Sequence, residues 1–359
     1  MSRPARLIID LGALKHNLGR VRALAPNAAI MAMVKANAYG HGILPVAQAL
    51  TEADALGVAC LEEAGVLREA GVRQPIVLME GLFHPDELPD AVRYQVALVL
   101  HHMPQIEMLE AASGIPPFQV WLKLNTGMCR LGIEPSEVLA VYQRLQAANT
   151  VKKPIGLMTH FALADNCDSQ TTSEQQRLFL EITQGLTGPR SLANSAAILA
   201  WPETHADWVR PGLMLYGASP FPNQAGIQHD LRPVMTLSSQ LIAVNRVPQG
   251  AKVGYGGTWL APETMSVGVV GAGYGDGYPQ FAPNGAPVLV NGEVCPLVGR
   301  VSMDMLTVDL RAQPNAKPGD PVLLWGEDLP VERVAEATHT SAYELLARMT
   351  VRPAREWRV

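Results

Sequence analysis

The order of apolar and polar positions divides the chain into an alternating part and a strand-rich part. After a short apolar strand at Leu7 to Ile9, Asp10 can cap a helix in which Leu11, Leu14, Leu18 and Val21 recur at helical spacing, and Pro26 ends it. This helix reads as the lead into the first of a series of strands. Apolar runs at 28–34, 54–60, 75–80, 95–100, 118–124, 154–159, 190–193 and 207–209 predict those strands, with helical patterns at 43–51, 61–70, 135–148 and 172–187 among the connections. Uninterrupted runs suit strands covered on both faces, as in a parallel sheet. Strands that alternate with helices eight times by residue 209 predict an α/β fold of the TIM-type (β/α)8 barrel class.

Beyond about residue 230 the pattern changes. Positions 236–247, 265–270 and 288–294 read as strands, the last folded about the hairpin turn Asn291-Gly292, and a helix over 331–349 carries Tyr343. The expected organisation is therefore a barrel over residues 1–231 and a mostly β C-terminal domain over 232–359. A chain of 359 residues is long enough for both.

The net charge of -5, with both signs scattered, offers no basic stripe for a nucleic-acid backbone. Cys60, Cys129, Cys167 and Cys295 lie far apart without metal-ligand spacing and read as reduced thiols, each a small packing residue. No apolar run reaches the length of a membrane span, and charges occupy the start where a signal peptide needs its hydrophobic segment. The expectation is a soluble cytoplasmic protein.

In a barrel of this type the chemistry lies at the C-terminal ends of the strands. Lys35 closes the first apolar run, and its bland reading is a side chain snorkelling from a strand end. Other polar groups fall at the same level: Lys123 and, on the loop after it, Arg130; His160; Asn194-Ser195; and Arg210-Pro-Gly-Leu213. Ser195 alone would be a helix cap and Gly212 alone a turn glycine. With Lys35 they suggest one ligand that carries both an aldehyde and a phosphate, namely pyridoxal 5'-phosphate. Gly271-Ala-Gly-Tyr-Gly-Asp-Gly277 invites a dinucleotide reading, but Asp276 stands where the third glycine of G-x-G-x-x-G is required. Met303 reads by default as core filling, and His41, His101 and His102 as loop or surface histidines.

Several stretches together resemble the alanine racemase family over essentially the full length. They are Val34-Lys-Ala-Asn-Ala-Tyr-Gly-His-Gly42, Lys123-Leu-Asn-Thr-Gly-Met-Cys-Arg-Leu-Gly132, His160-Phe161, Asn194-Ser195, Trp208-Val-Arg-Pro-Gly212, Val253-Gly-Tyr-Gly-Gly257, Gly273-Tyr-Gly-Asp-Gly-Tyr278 and Val301-Ser-Met-Asp-Met305. The resemblance implies a pyridoxal phosphate enzyme that interconverts L- and D-alanine, for cell-wall supply or for alanine breakdown. It also implies a head-to-tail homodimer whose active sites combine the barrel of one subunit with the second domain of the other.

Residue by residue, the resemblance makes Lys35 the Schiff-base lysine and the base for the D enantiomer, and Tyr255 the base for the L enantiomer. Arg130 and the backbone at Met303 would contact the substrate carboxylate. Tyr39, Ser195, Gly212, Leu213 and Tyr343 would contact the phosphate, with Asn194 beside them. His160 would lie against the pyridine ring and Arg210 would face its nitrogen. Tyr274 resembles an entrance residue, Asp304 a supporting one, and Lys123, carbamylated in some members, would brace Arg130. Asn125, Cys129 and Gln280 depart from the usual pattern, and Gln280 replaces a basic residue near the entrance. Two other readings share the lysine and the phosphate site: a barrel-type decarboxylase or racemase of larger amino acids, and a non-catalytic cofactor carrier. Tyr255 opposes the decarboxylase, and the whole β domain opposes the carrier.

Overall fold

In a computed structural model, which describes residues 3–359, the eight apolar runs form eight parallel strands that close into a barrel in sequence order. They are Ala29–Met33, Ala55–Val58, Ile76–Leu78, Val96–Leu100, Phe118–Lys123, Val151–Met158, Arg190–Ser191 and Trp208–Val209. Closure is through Ala29 and Ile30, which pair with Trp208 and Val209. The first four of these strands are buried along almost their whole length, which is why they read as continuous apolar runs rather than alternating ones. Inside the barrel Trp121 packs edge-on to Trp208, ring centroids 5.8 Å apart. It fills the space over Gly156, where a Cβ would come within 2.3 Å of the indole.

The second unit is built on one long strand, Met235–Val247. It pairs antiparallel with Arg6–Asp10, Met265–Val270 and Pro321–Trp325, and Arg6–Asp10 pairs in parallel with Ala354–Arg358. Leu7 and Ile9, fully buried, anchor that N-terminal strand in this sheet. The division of the chain is therefore not a single cut at residue 231. One compact unit comprises 18–38 and 42–215; the other comprises the N-terminal segment through Asn17, 39–41 and residues from Tyr216 onward. Sequence order hides this, because a strand is assigned to a sheet by its partners and not by its position in the chain.

Local signals behave as their chemistry requires. Asp10 Oδ1 accepts from the Ala13 N–H at 2.7 Å and opens the helix Leu11–Leu24. The Asn291-Gly292 hairpin joins Leu289–Val290 to Glu293–Val294 with both turn residues at positive φ. The helix expected over 331–349 is instead two, Val331–Ala337 and Ala342–Ala347. His339 takes φ 55°, Thr340 N–H returns to Ala335 O at 3.0 Å, and Ser341 Oγ caps the second helix through the Glu344 N–H. Apolar periodicity continues across the break, so only the Thr-His-Thr-Ser run signals it.

Candidate active site

Directly after Lys35 the backbone turns the wrong way for L-residues. Ala36, Asn37, Ala38 and Tyr39 all have φ of 52–53°, a left-handed helical turn. Each alanine there costs about 1–2 kcal/mol. The turn is held by Ala38 N–H to Val34 O (2.8 Å), Gly42 N–H to Asn37 O (3.0 Å) and Ile43 N–H to Asn37 Oδ1 (2.8 Å). Glu63 adds an acceptor for the Asn37 N–H at 3.3 Å. Asn37 is the one residue of the four whose type favours this conformation.

At the C-terminal rim of the barrel the expected cations converge. Lys123, at the end of its strand, is buried, and its amine is pulled down to about 8 by burial first and then by Arg210, Arg130 and Lys35, with Glu80 opposing. Arg210 is buried too, and burial lowers it to about 10, so it stays protonated at neutral pH. Its guanidinium donates to Ser191 Oγ at 2.7 Å, Thr159 O at 2.5 Å and Leu192 O at 3.1 Å. Arg210 Nη2 also lies 3.1 Å from His160 Nδ1. A guanidinium can only donate, so Nδ1 accepts and the His160 proton sits on Nε2. Burial, then Arg210, Lys123, Arg130 and Lys35, hold His160 well below the usual histidine range, so the ring is neutral.

The phosphate-type loops separate two roles that sequence could not. Asn194 Oδ1 caps the helix Ser195–Ala200 by accepting from the Ala197 N–H at 3.0 Å. Ser195 is thereby released from capping. Its Oγ accepts from the N–H groups of Gly212 (2.9 Å) and Met214 (3.3 Å), which leaves its own proton to donate outward. Leu213 opens the short turn Leu213–Tyr216, where the first N–H has no partner within the turn.

The remaining expected residues lie in the other unit. Tyr39 is half-buried, stacked on Tyr216 at 4.7 Å and 6.2 Å from the Tyr343 ring. Burial and then Tyr343 push its phenol well above the ordinary range. His41 is fully buried in the same group, 4.5 Å from the Tyr216 ring, with Nδ1 at 2.8 Å from Tyr39 O; it is not a surface histidine. Tyr255 projects from a turn between Gly254 and Gly256, both at φ 72°, and is 70% exposed. That conformation needs glycine on each side. Met303 is 52% exposed rather than core filling. Its turn is tied to the Tyr274 turn by backbone hydrogen bonds. Cys295 is a buried packing residue, whereas Cys129 and Cys167 are exposed. Among the described residues no group of side chains is arranged to hold a metal ion.

Two family models cover this chain: the alanine racemase N-terminal domain over residues 9–220 and the alanine racemase C-terminal domain over 234–357. The chain belongs to the alanine racemase family. Alanine racemase of Shewanella loihica is 54% identical, over 97% of this chain and 98% of its own length. That of Coxiella burnetii is 48% identical over 97% of each. Among solved structures, the biosynthetic alanine racemase of Pseudomonas aeruginosa superposes with a TM-score of 0.97 at 44% identity, covering 99% of this chain and 100% of that one. The alanine racemase of Bartonella henselae, described with covalently bound pyridoxal phosphate, has a TM-score of 0.90 at 26% identity over 99% of both chains.

Within this alanine racemase fold, some groups around the site were not singled out from sequence. Gln175 is buried and joins three segments: Nε2 donates to Thr126 Oγ1 (3.2 Å) and His160 O (3.1 Å), and Oε1 accepts from the Ala162 N–H (2.9 Å). Ser191 fixes Arg210. His101, expected as a loop or surface histidine, is half-buried and reaches Glu80 O at 2.9 Å. Arg300 lies beside the Tyr255 turn, its Nη2 3.8 Å from where a Cβ of Gly256 would stand. The signal for Arg300 was its place immediately before Val301-Ser-Met-Asp-Met305; a lone helical glutamine carries none.

Proposed function

We propose that the protein is a pyridoxal 5'-phosphate-dependent racemase that interconverts L- and D-alanine by a two-base mechanism. The observation that carries the reading is the barrel rim, where Lys35, Lys123, Arg130 and Arg210 converge on a neutral His160 beside the hydroxyl and N–H cluster at Ser195. This donor set fits the cofactor: a primary amine for an aldehyde, a hydroxyl and free N–H for a phosphate, and a fixed guanidinium for a pyridine nitrogen. When bound, pyridoxal phosphate engages the nitrogen of the amino acid and stabilises the charge left at Cα.

The chain's own residues then divide the work. Lys35 would anchor the cofactor and move the proton on one face of Cα, and Tyr255 the proton on the opposite face, since inversion needs two positioned bases. Arg130 and the Met303 N–H would bind the substrate carboxylate. Ser195, Gly212, Leu213, Tyr39 and Tyr343 would hold the phosphate. Arg210 cannot take a proton, so it would leave the ring nitrogen unprotonated and moderate how far charge is withdrawn. Lys123, its amine pulled down to about 8, could in its deprotonated form add CO2 with loss of a proton to solvent; the carbamate would give Arg130 an anionic partner.

The exposure of Tyr255 and Met303 (70% and 52%) supports a homodimer in which these residues complete the partner subunit's site. Four free cysteines fit a reducing compartment such as the cytoplasm. No helix among the described residues is long and apolar enough to cross a membrane. The deciding experiment incubates the holoenzyme with L-alanine in D2O and follows chiral composition and Cα deuteration. D-alanine carrying deuterium, without CO2 release, is expected. Deuteration or CO2 without D-alanine would reject the reading.

A further inference from the structure

The turns that carry Tyr274 and Met303 are bound together by backbone. Tyr274 N–H donates to Ser302 O at 3.0 Å, and Gly275 N–H donates to Met303 O at 2.9 Å. The first of these bonds fixes the peptide plane between Ser302 and Met303. In a trans peptide C=O and N–H point in opposite directions, so with Ser302 O held, the Met303 N–H is aimed away from the Tyr274 turn. Among the described residues that N–H donates to no protein group.

Four charged groups support this pair of turns, two of them from the two ends of the chain. The Asp276 carboxylate is fully buried; its Oδ2 accepts from Arg3 Nη2 at 2.8 Å and from the Gly273 N–H at 3.0 Å, and its Oδ1 lies 3.5 Å from Arg352 Nε. Arg352 Nη2 donates to Asp304 Oδ1 at 2.6 Å, and Arg3 Nη2 reaches Asp304 O at 3.2 Å. The packing has no slack: a Cβ on Gly275 would come 2.1 Å from Arg352 Nη1 and 3.0 Å from Met303 O. A buried carboxylate is a poor device for stability alone, since its desolvation offsets its pairing. Its bonds are directional, however: they fix the Gly273 N–H at the head of the Tyr274 turn and two arginines that also bond Asp304, the residue after Met303.

We propose that Arg3 and Arg352 are positioning residues for the substrate carboxylate: through Asp276 and Asp304 they fix the backbone around Met303 and hold its N–H in the direction the carboxylate requires. The inference rests on the reading of that N–H as a carboxylate donor. Removing one arginine frees the Tyr274 turn to shift against the Met303 turn. Substrate binding then weakens, while the proton-transferring groups are untouched.

The test uses the holoenzyme, with KM and kcat in both directions and inhibition by propionate, which has the carboxylate but no amine. Arg3→Ala and Arg352→Ala are expected to raise KM for both enantiomers and Ki for propionate by about tenfold, as for loss of a hydrogen bond to a charged group, with a smaller fall in kcat. Arg3→Lys should recover part of the loss, and Asp276→Asn should shift KM the same way. Hydrogen exchange at the Gly275 amide should quicken in each. Unchanged KM and Ki, with the loss confined to Tm, would overturn the inference. Met303→Pro, which removes the N–H, separates the two ideas. A parent-like Ki in that variant rejects the Met303 reading itself. A raised Ki there with a parent-like Ki in Arg3→Ala rejects only the role of the arginines.

Discussion

The barrel rim and the turns of the β unit solve opposite problems with the same kinds of residue. On the rim, Lys123 and Arg210 are buried and His160 is half-buried; desolvation and neighbouring cations set their protonation, and each has a defined partner or field. On the β unit, Tyr255 and Met303 stand on exposed turns whose backbones are rigid while their side chains face outward. The rim groups are held within one unit, whereas the turns present exposed side chains. Burial tunes the groups that the proposed function assigns to the cofactor, whereas hydrogen-bonded turns present the groups it assigns to the substrate. Under the proposed function, this contrast fits rim groups that would hold most of the cofactor and turns that would meet the substrate in a second copy's site.

That comparison breaks first at Lys35. Lys35→Ala should lower racemisation by at least about 10³-fold and abolish covalent retention of cofactor, seen as loss of the mass adduct after borohydride reduction. Tyr255→Phe should keep the adduct and lose about 10²- to 10⁴-fold in inversion. A sharper form of the same test uses D2O: if Lys35 serves the D enantiomer, D-alanine should still exchange its α-proton in Tyr255→Phe while L-alanine does not. Equal exchange of both enantiomers would remove the two-base division. Ser195→Ala should weaken pyridoxal phosphate about 10- to 100-fold in equilibrium binding, and pyridoxal without the phosphate little. An equal loss for both ligands would take the phosphate away from Ser195.

How much of this could be read from the chain follows from the range of each interaction. The barrel was legible because a doubly covered strand writes itself as a run of apolar residues, and the rim was legible because strand ends are countable. The resemblance supplied the roles of Lys35 and Tyr255, which no periodicity could. The N-terminal strand's sheet was not legible, since its partners Met235 to Ser238 and Ala354 to Arg358 are more than 200 residues away. The left-handed turn at 36–39 was hidden because alanine has no preference for it. The work of Gln175, Arg3 and Arg352 depends on bonds across 13 to 301 residues, and their residue types carry no local mark.

A smaller effect reports on the cost of crowding cations at the rim. Lys123 titrates near 8 in the fold and near 10.4 when unfolded. Between those values the unfolded chain binds a proton that the folded one does not, so stability should rise with pH across that window. The full penalty is present below pH 8. Replacement by methionine should flatten this rise in denaturant titrations of the protein prepared free of CO2. A rise that survives in Lys123→Met would assign the effect to another group.

The smallest effect concerns Cys129, exposed at φ 53° next to Arg130. Its loop is braced rather than loose: Asn125 Oδ1 accepts from the Cys129 N–H at 3.0 Å, and Asn125 Nδ2 donates to Glu134 at 2.7 Å. An added group on the thiol is therefore not absorbed by the backbone and adds bulk beside Arg130, the next residue. Alkylation with iodoacetamide should raise KM for alanine about two- to fivefold, the scale of a partly disturbed charged hydrogen bond, with kcat nearly unchanged. Cys129→Ser should abolish that sensitivity while keeping parent KM, because serine fits the same backbone and hydrogen-bonding environment. If Cys129→Ser enzyme is still slowed by the reagent, the reactive thiol is elsewhere, and Cys167, the other exposed cysteine, is the one to replace next.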